Sequence, residues 1–355
     1  MEPHTPENTN SKNVKDFSGR LAFIFLTGIF ALMVIGTVML NFGNRAAKIE
    51  ANTTFDRAAY ESYQEELKEK EKLDAYWEIP ELYLLEDEEQ KDLIRYGKEL
   101  IRHTSRYLGP NGSVKKLSNG MNCQNCHLDA GTRIWGNNYA GVASTYPKVR
   151  ARSGKMESIE KRVNDCFERS LNGQALENDS KEMRAIVAYM KFLGTNVKKG
   201  EVPEGTGIYD IPFLKRPADP VKGKAVYDAK CASCHGANGE GMMANAAEYS
   251  YPPLWGPNSY NSGAGLFRMS RLAGYVRYNM PYGASFLKPQ MSVEDSWDVA
   301  AFINTQPRPG KDISKDWPDI SKKPIDHPFG PYADGFTEAQ HKFGPFGPIK
   351  AARKK

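Results

Sequence analysis

The chain has 355 residues, 40% of them hydrophobic, with 22 prolines and 31 glycines. That length supplies two domains of ordinary size and leaves much of the chain to loops. The net charge of +5 is spread without a dense basic run, so nothing in it points to nucleic acid as a partner.

Residues 1–20 precede an uncharged apolar run, LAFIFLTGIFALMVIGTVMLNF at 21–42. It meets the roughly 20-residue length of a membrane-spanning helix. Lys12, Lys15 and Arg20 lie before it and Arg45 and Lys48 after it, so the flanking charges orient it only weakly. A cleaved signal peptide is the competing reading, but that class has a shorter apolar stretch of roughly 7–15 residues and a small-residue cleavage site. Residues 43–88 are rich in Glu, Lys and Tyr, and EELKEKEKLDAYW predicts an exposed helical stalk.

A first globular domain is predicted over 89–196. QKDLIRYGKELIRHTSRYLG opens it, with Leu93, Ile94, Leu100 and Ile101 at helical spacing and Gly109-Pro110 as the stop. SKEMRAIVAYMKFLG closes it, with Gly194 ending the helix. The segment 197–220 reads as a linker because of its glycines and prolines. A second copy follows over 221–307, from VKGKAVYDAKCASCHG to the closing helix SVEDSWDVAAFINTQ. The Pro/Gly- and aromatic-rich tail, 308–355, lacks a sustained period and is predicted to wrap a domain.

Each domain carries one C-x-x-C-H motif: Cys123, Cys126 and His127 in the first, Cys231, Cys234 and His235 in the second. The pattern is specific for c-type haem, whose vinyl groups take the two thiols as thioethers while the adjacent histidine binds iron. A zinc site or redox dithiol is the alternative. The fold expected is therefore mainly α, with two cytochrome c-type domains in tandem after one transmembrane helix and a helical stalk. Haem is expected to attach at Cys123 and Cys126 and at Cys231 and Cys234, with His127 and His235 as proximal ligands. Covalent haem attachment takes place outside the bacterial inner membrane, which predicts a cytoplasmic N-terminus, a single-pass anchor and periplasmic haem domains.

Met280, in NMPYG, is the simplest distal ligand for the second haem, with Met291 as the competitor. Pairing the closing helices so that Tyr189 matches Phe302 carries Cys166 onto Asn279, beside Met280. The repeat thus points to Cys166 as distal ligand of the first haem, with Met183 as its competitor. A cysteinate would favour ferric iron and lower the potential, which suits a catalytic centre better than a carrier. If EKRVNDCFERSL is helical, Arg162, Cys166, Arg169 and Ser170 share a face, and guanidiniums beside an open haem edge would bind a small oxyanion.

The chain resembles the dihaem thiosulfate dehydrogenases, which join two thiosulfates into tetrathionate. GMNCQNCHLDAGT, YPKVRARSGK, RVNDCFERSLNG, YPPLWGPNSYNSGAG and NMPYG carry the resemblance, in that order, from about Tyr96 to about Pro345. The resemblance implies Cys166 as distal ligand of the active-site haem, Met280 as ligand of the second, and Arg152, Arg162 and Ser170 as substrate-holding residues. Asn279 stands where some members carry a lysine, so lysine ligation is not expected. An external cytochrome or membrane oxidase would collect the electrons. The rival readings are a non-catalytic, membrane-anchored electron-transfer subunit and a sulfur-transfer cytochrome of the thiosulfate-oxidising system.

Overall fold

The structure, a computed structural model, describes residues 27–41, 57–73 and 76–353. The chain divides into two compact units, Met1–Lys68 and Glu69–Lys355. In the first, residues 27–41 form a helix with exposed apolar side chains such as Phe30, Leu32 and Met39. The ends of the predicted span, 21–26 and Phe42, lie outside the described residues. No helix among the described residues is long and apolar enough to cross a membrane. Within the predicted stalk, Arg57–Leu73 is helical and polar, while 43–56 lie outside the described residues.

The second unit is helical, in two bodies. The first rests on α1 (Glu88–Arg102), α2 (Ile159–Arg169) and α3 (Lys181–Leu193), and each start has a side-chain cap. Asp87 accepts from Gln90 N, Ser158 from Lys161 N and Ser180 from Met183 N, pairing amide groups that a helix leaves open. Apolar residues recurring at helical spacing bury one stripe of each helix. Ile94, Leu100 and Ile101 of α1 and Ile186, Tyr189 and Leu193 of α3 meet in one core with Phe167 of α2. Gly97 lets α1 cross α3 at close range, since a Cβ there would overlap Ala185 O.

The second body repeats this plan with α4 (Pro220–Lys230), α5 (Met269–Asn279) and α6 (Val293–Thr305). Asp219 caps α4 with proline in its first turn, and Ser292 caps α6. Gly223 is the counterpart of Gly97, because its Cβ would overlap Asp298 O. Tyr227, Trp297 and Ile303 form the core. Strand structure is confined, among the described residues, to two small antiparallel hairpins, β1 (Lys148–Arg150) with β2 (Lys155–Glu157) and β3 (Met242–Met243) with β4 (Tyr249–Tyr251).

The tail contains three short helices, Ile320–Lys322, Glu338–Phe343 and Phe346–Ala352. It does more than wrap: Phe346 and Ile349 enter the second core, and Asp316 and Trp317 reach the first body. Polar contacts also join the two bodies directly. Glu248 accepts from His103 at 2.7 Å and from Arg106 at 2.8 Å, and Tyr275 Oη donates to Asn125 O at 2.8 Å.

Candidate haem centres

The first motif lies on the wall of a cavity of about 490 Å³. Cys123–Asn125 forms a tight helical turn that brings Cys123, Cys126 and His127 to that wall together. After His127 the chain passes through left-handed conformations at Asp129 and Ala130, φ 54° and 57°, and loops back. The return sets Asn137 O to accept from His127 Nδ1 at 2.5 Å. With that proton fixed, Nε2 keeps its lone pair, the form a metal-binding imidazole needs. Burial lowers His127 to about 4, against the opposing pull of the Asn137 hydrogen bond, so the ring is neutral. Burial likewise pushes Cys123 and Cys126 up to about 12.

Cys166 lines the same cavity from the middle of α2, with Arg162 one turn before it and Ser170 just after the helix. Arg162 Nη1 donates to Cys166 Sγ at 3.3 Å. The electrostatic pull of neighbouring Cys166 raises the guanidinium's pKa, outweighing the burial that would lower it. The predicted shared face is therefore only partly shared. Arg162, Cys166 and Ser170 meet at the cavity, whereas Arg169 turns away to a bidentate pair with Asp316 at 2.7 and 2.8 Å.

Arg152 does not line the cavity; its guanidinium lies 5.4 Å from the centre of the Trp317 ring. Burial lowers it to about 10, and the like charges of Arg169 and Arg162 add to the effect. Met183 is fully buried in the core and does not line this cavity either. The wall also includes Lys148, Arg150, Tyr139, Met190 and Arg271, which sequence reasoning did not assign. Lys148 and Arg150 belong to the YPKVRARSGK signature and could have been found there. Arg271 comes from α5 of the second body, and no local pattern marks it.

The second motif stands apart from that cavity, since Cys231, Cys234 and His235 are not on its wall. Cys231 caps the short helix Ala232–His235, and Cys234 lies within it, so one turn presents both thiols and the imidazole. The turn closes on Cys231 O, which accepts from Cys234 N at 3.1 Å and from His235 N at 2.9 Å. Cys231 and Cys234 are both half-buried. The imidazole arrangement repeats that of the first motif, with Pro252 O accepting from His235 Nδ1 at 2.8 Å. Burial lowers His235 and pushes Cys231 up to about 11.

Met280 follows α5 as its C-terminal cap in an extended conformation and packs against the second core, where Met291 is itself buried. The repeat is looser at the distal position than the closing helices suggest. The helices α2 and α5 are both 11 residues long. Aligned by their ends, they set Cys166 against Val276, one turn before Met280. The short cysteine thus sits within its helix and the longer methionine beyond its own.

Both donor sets fit c-type haem. Cys123 and Cys126 stand beside His127, and Cys231 and Cys234 beside His235, each imidazole with its Nδ1 already engaged. The first cavity adds Lys148, Arg150, Arg162 and Arg271 as partners for propionates or other anions.

Residues 113–198 match the SoxA/TsdA cytochrome c domain, and 220–307 match cytochrome c. The thiosulfate dehydrogenase of Allochromatium vinosum is 39% identical over 65% of this chain and 84% of that protein. The thiosulfate dehydrogenase of Psychrobacter arcticus is 35% identical over 68% of this chain and 71% of its own. Among solved structures, thiosulfate dehydrogenase (TsdBA) of Marichromatium purpuratum aligns with a TM-score of 0.61 and 30% identity, over 67% of this chain and 50% of that one. The chain spans half the length of that solved protein. Two cytochrome c domains in tandem carry two covalently bound c-type haems, and the chain belongs to the thiosulfate dehydrogenase family.

Proposed function

We propose that the chain oxidises two thiosulfate dianions to one tetrathionate at the haem held by His127 and Cys166. His235 and Met280 would hold the second haem, which would supply one-electron transfer toward an external cytochrome or membrane oxidase. The observation that carries this reading is the cavity that joins the first haem motif to the Arg162–Cys166 pair.

The reaction forms one sulfur–sulfur bond and releases two electrons and no proton, so no general base is required. The protein's task is to hold like charges together. Two dianions repel strongly in a site shielded from water, and Arg162, Lys148 and Arg150 on the wall offset that repulsion. Arg162 offers charge-assisted donors for sulfonate oxygens, and the Ser170 hydroxyl adds a neutral donor. The bound haems supply the one-electron acceptor chemistry. Cys166, held by Arg162, keeps its sulfur beside the place where the substrates meet.

Purified holoprotein supplied with thiosulfate and an artificial one-electron acceptor should form tetrathionate at half the rate of thiosulfate loss. Full haem content with no thiosulfate consumption would leave the chain as an electron carrier.

The run 21–42 serves, in the same reading, as a single-pass inner-membrane anchor with the haem domains in the periplasm. Its uncharged length supports this. Alkaline washing should leave the protein with the membranes, and a mature N-terminus beyond Phe42 would defeat the anchor.

A further inference from the structure

Helix α5 belongs to the second body, yet one stripe of it is keyed to the loops around the first haem motif. Arg271, Tyr275 and Asn279 follow one another at four-residue spacing and share a face. Tyr275 Oη donates to Asn125 O at 2.8 Å, and Asn125 stands in the chain between Cys123 and Cys126. Asn279 Nδ2 donates to Trp135 O at 3.2 Å, two residues before the Asn137 carbonyl that engages His127. Both side chains are buried. Leu272, Ala273 and Val276 of the same helix pack in the second core, so the register of α5 is fixed by both bodies.

Arg271 is the member of the stripe that lines the first cavity. Its Nη1 donates to Ile208 O at 3.4 Å; Ile208 is bridged to Gly136, and Gly207 O accepts from Asn137 N at 2.8 Å. Arg271 therefore enters beside the segment that steadies His127, whereas Arg162 and Cys166 come from α2. Its neighbour Arg268 is neutralised, with two nitrogens on the buried carboxylate of Asp326. For Arg271 the one carboxylate within ion-pair distance among the described residues is Asp210, at 3.8 Å and with its side chain 98% exposed. Water screens such a pair and leaves the charge of Arg271 largely uncompensated.

A haem attached at Cys123 and Cys126 brings two propionate carboxylates with it. An ionised carboxylate drawn out of water needs a hydrogen-bonded cation, and a guanidinium meets it through two parallel N–H bonds. We propose that Arg271 is a haem-holding residue supplied by the second body: its guanidinium takes a propionate of the first haem. Helix α5 is then fastened to the first haem near its start and ends at Met280, which the proposed function gives to the second. The claim for Arg271 rests on the haem at the first motif and not on the identity of the substrate.

The test uses the full-length holoprotein, wild type and with Arg271→Gln or Arg271→Lys. Redox titration without thiosulfate gives the two haem potentials, and electron paramagnetic resonance at each poised potential assigns them. Loss of one partly buried positive charge favours ferric iron. Arg271→Gln should move the ferric-to-ferrous balance of the first haem about tenfold toward ferric, a fall of about 59 mV for one electron. The second potential and the haem content should stay at wild-type values, and Arg271→Lys should keep most of the first potential. A crystal structure of the wild-type holoprotein, which needs no variant, should place the Arg271 guanidinium within about 3 Å of a propionate oxygen. A guanidinium pointing elsewhere overturns the proposal. So does an Arg271→Gln protein with both potentials unchanged, and a raised thiosulfate KM in that protein would make Arg271 a substrate residue instead. An Arg271→Lys protein whose first potential falls as far as that of Arg271→Gln marks a structural effect and overturns the proposal as well.

Discussion

Arg162 and Cys166 stand one helical turn apart, the spacing at which side chains on a helix meet, so their 3.3 Å contact follows from local geometry. In the proposed function, the charge on Arg162 both holds the Cys166 sulfur and attracts an anionic substrate. Arg162→Gln keeps a donor of reduced reach and removes the charge. A charge-assisted hydrogen bond contributes about 1.5–3 kcal/mol, so the thiosulfate KM should rise by roughly 10- to 100-fold. Haem content should stay at wild-type level, because both thioether positions and His127 are untouched. In Cys166→Met the low-spin thiolate signal of the first haem should vanish, and an unchanged electron paramagnetic resonance spectrum would remove Cys166 from the iron. Cys123, Cys126 and His127, like Cys231, Cys234 and His235, were legible at this scale because covalent haem attachment demands them side by side. The shelf under Arg152 was not, since Trp317 lies far along the chain and in a tail without periodicity.

Helices were the most legible elements. The pattern of Leu93, Ile94, Leu100 and Ile101 predicts α1, and Ile94, Leu100 and Ile101 are indeed buried. In the structure, serines ahead of α2, α3 and α6 and Asp219 ahead of α4 cap the starts. The distal register was less legible, because alignment of the closing helices does not fix where an earlier helix ends. Gly97 and Gly223 occupy equivalent crossings, and neither has the left-handed φ that would explain a glycine by itself. Their role is close approach. Gly97→Ala and Gly223→Ala should each destabilise the holoprotein by about 1–3 kcal/mol, the usual range for overpacking, despite alanine's better helix propensity. Thermal denaturation followed by circular dichroism checks both, and a stabilised Gly97→Ala would contradict the crossing argument.

At the scale of the molecule, the repeat predicts two helical bodies but not how they are fastened. Fastening depends on side chains far apart in sequence, such as Tyr275 with Asn125 and Glu248 with His103 and Arg106. No local pattern marks these pairs. Glu248 is the most exacting of them because it is only 6% exposed and comes from the loop before β4. Burial pushes its pKa up, but hydrogen bonds from His103 and Arg106 outweigh burial and hold it below the usual carboxylate range. A carboxylate depressed in the folded state contributes stability above its unfolded pKa of about 4.3, and the contribution disappears as pH falls through the lower folded value. Glu248→Gln should therefore melt a few degrees below the wild-type protein at pH 7, as expected for loss of a buried polar contact in a domain of this size. The gap should begin to narrow as pH drops below about 4.3, where the unfolded carboxylate takes up its proton, and close as pH falls through the lower folded value. Melting curves at pH 7, 5 and 3.5 decide the matter. A gap of constant size across that range would mean that Glu248 acts through shape rather than charge. A gap that closes would identify the Glu248 carboxylate as an acid-sensitive tie between the two haem domains.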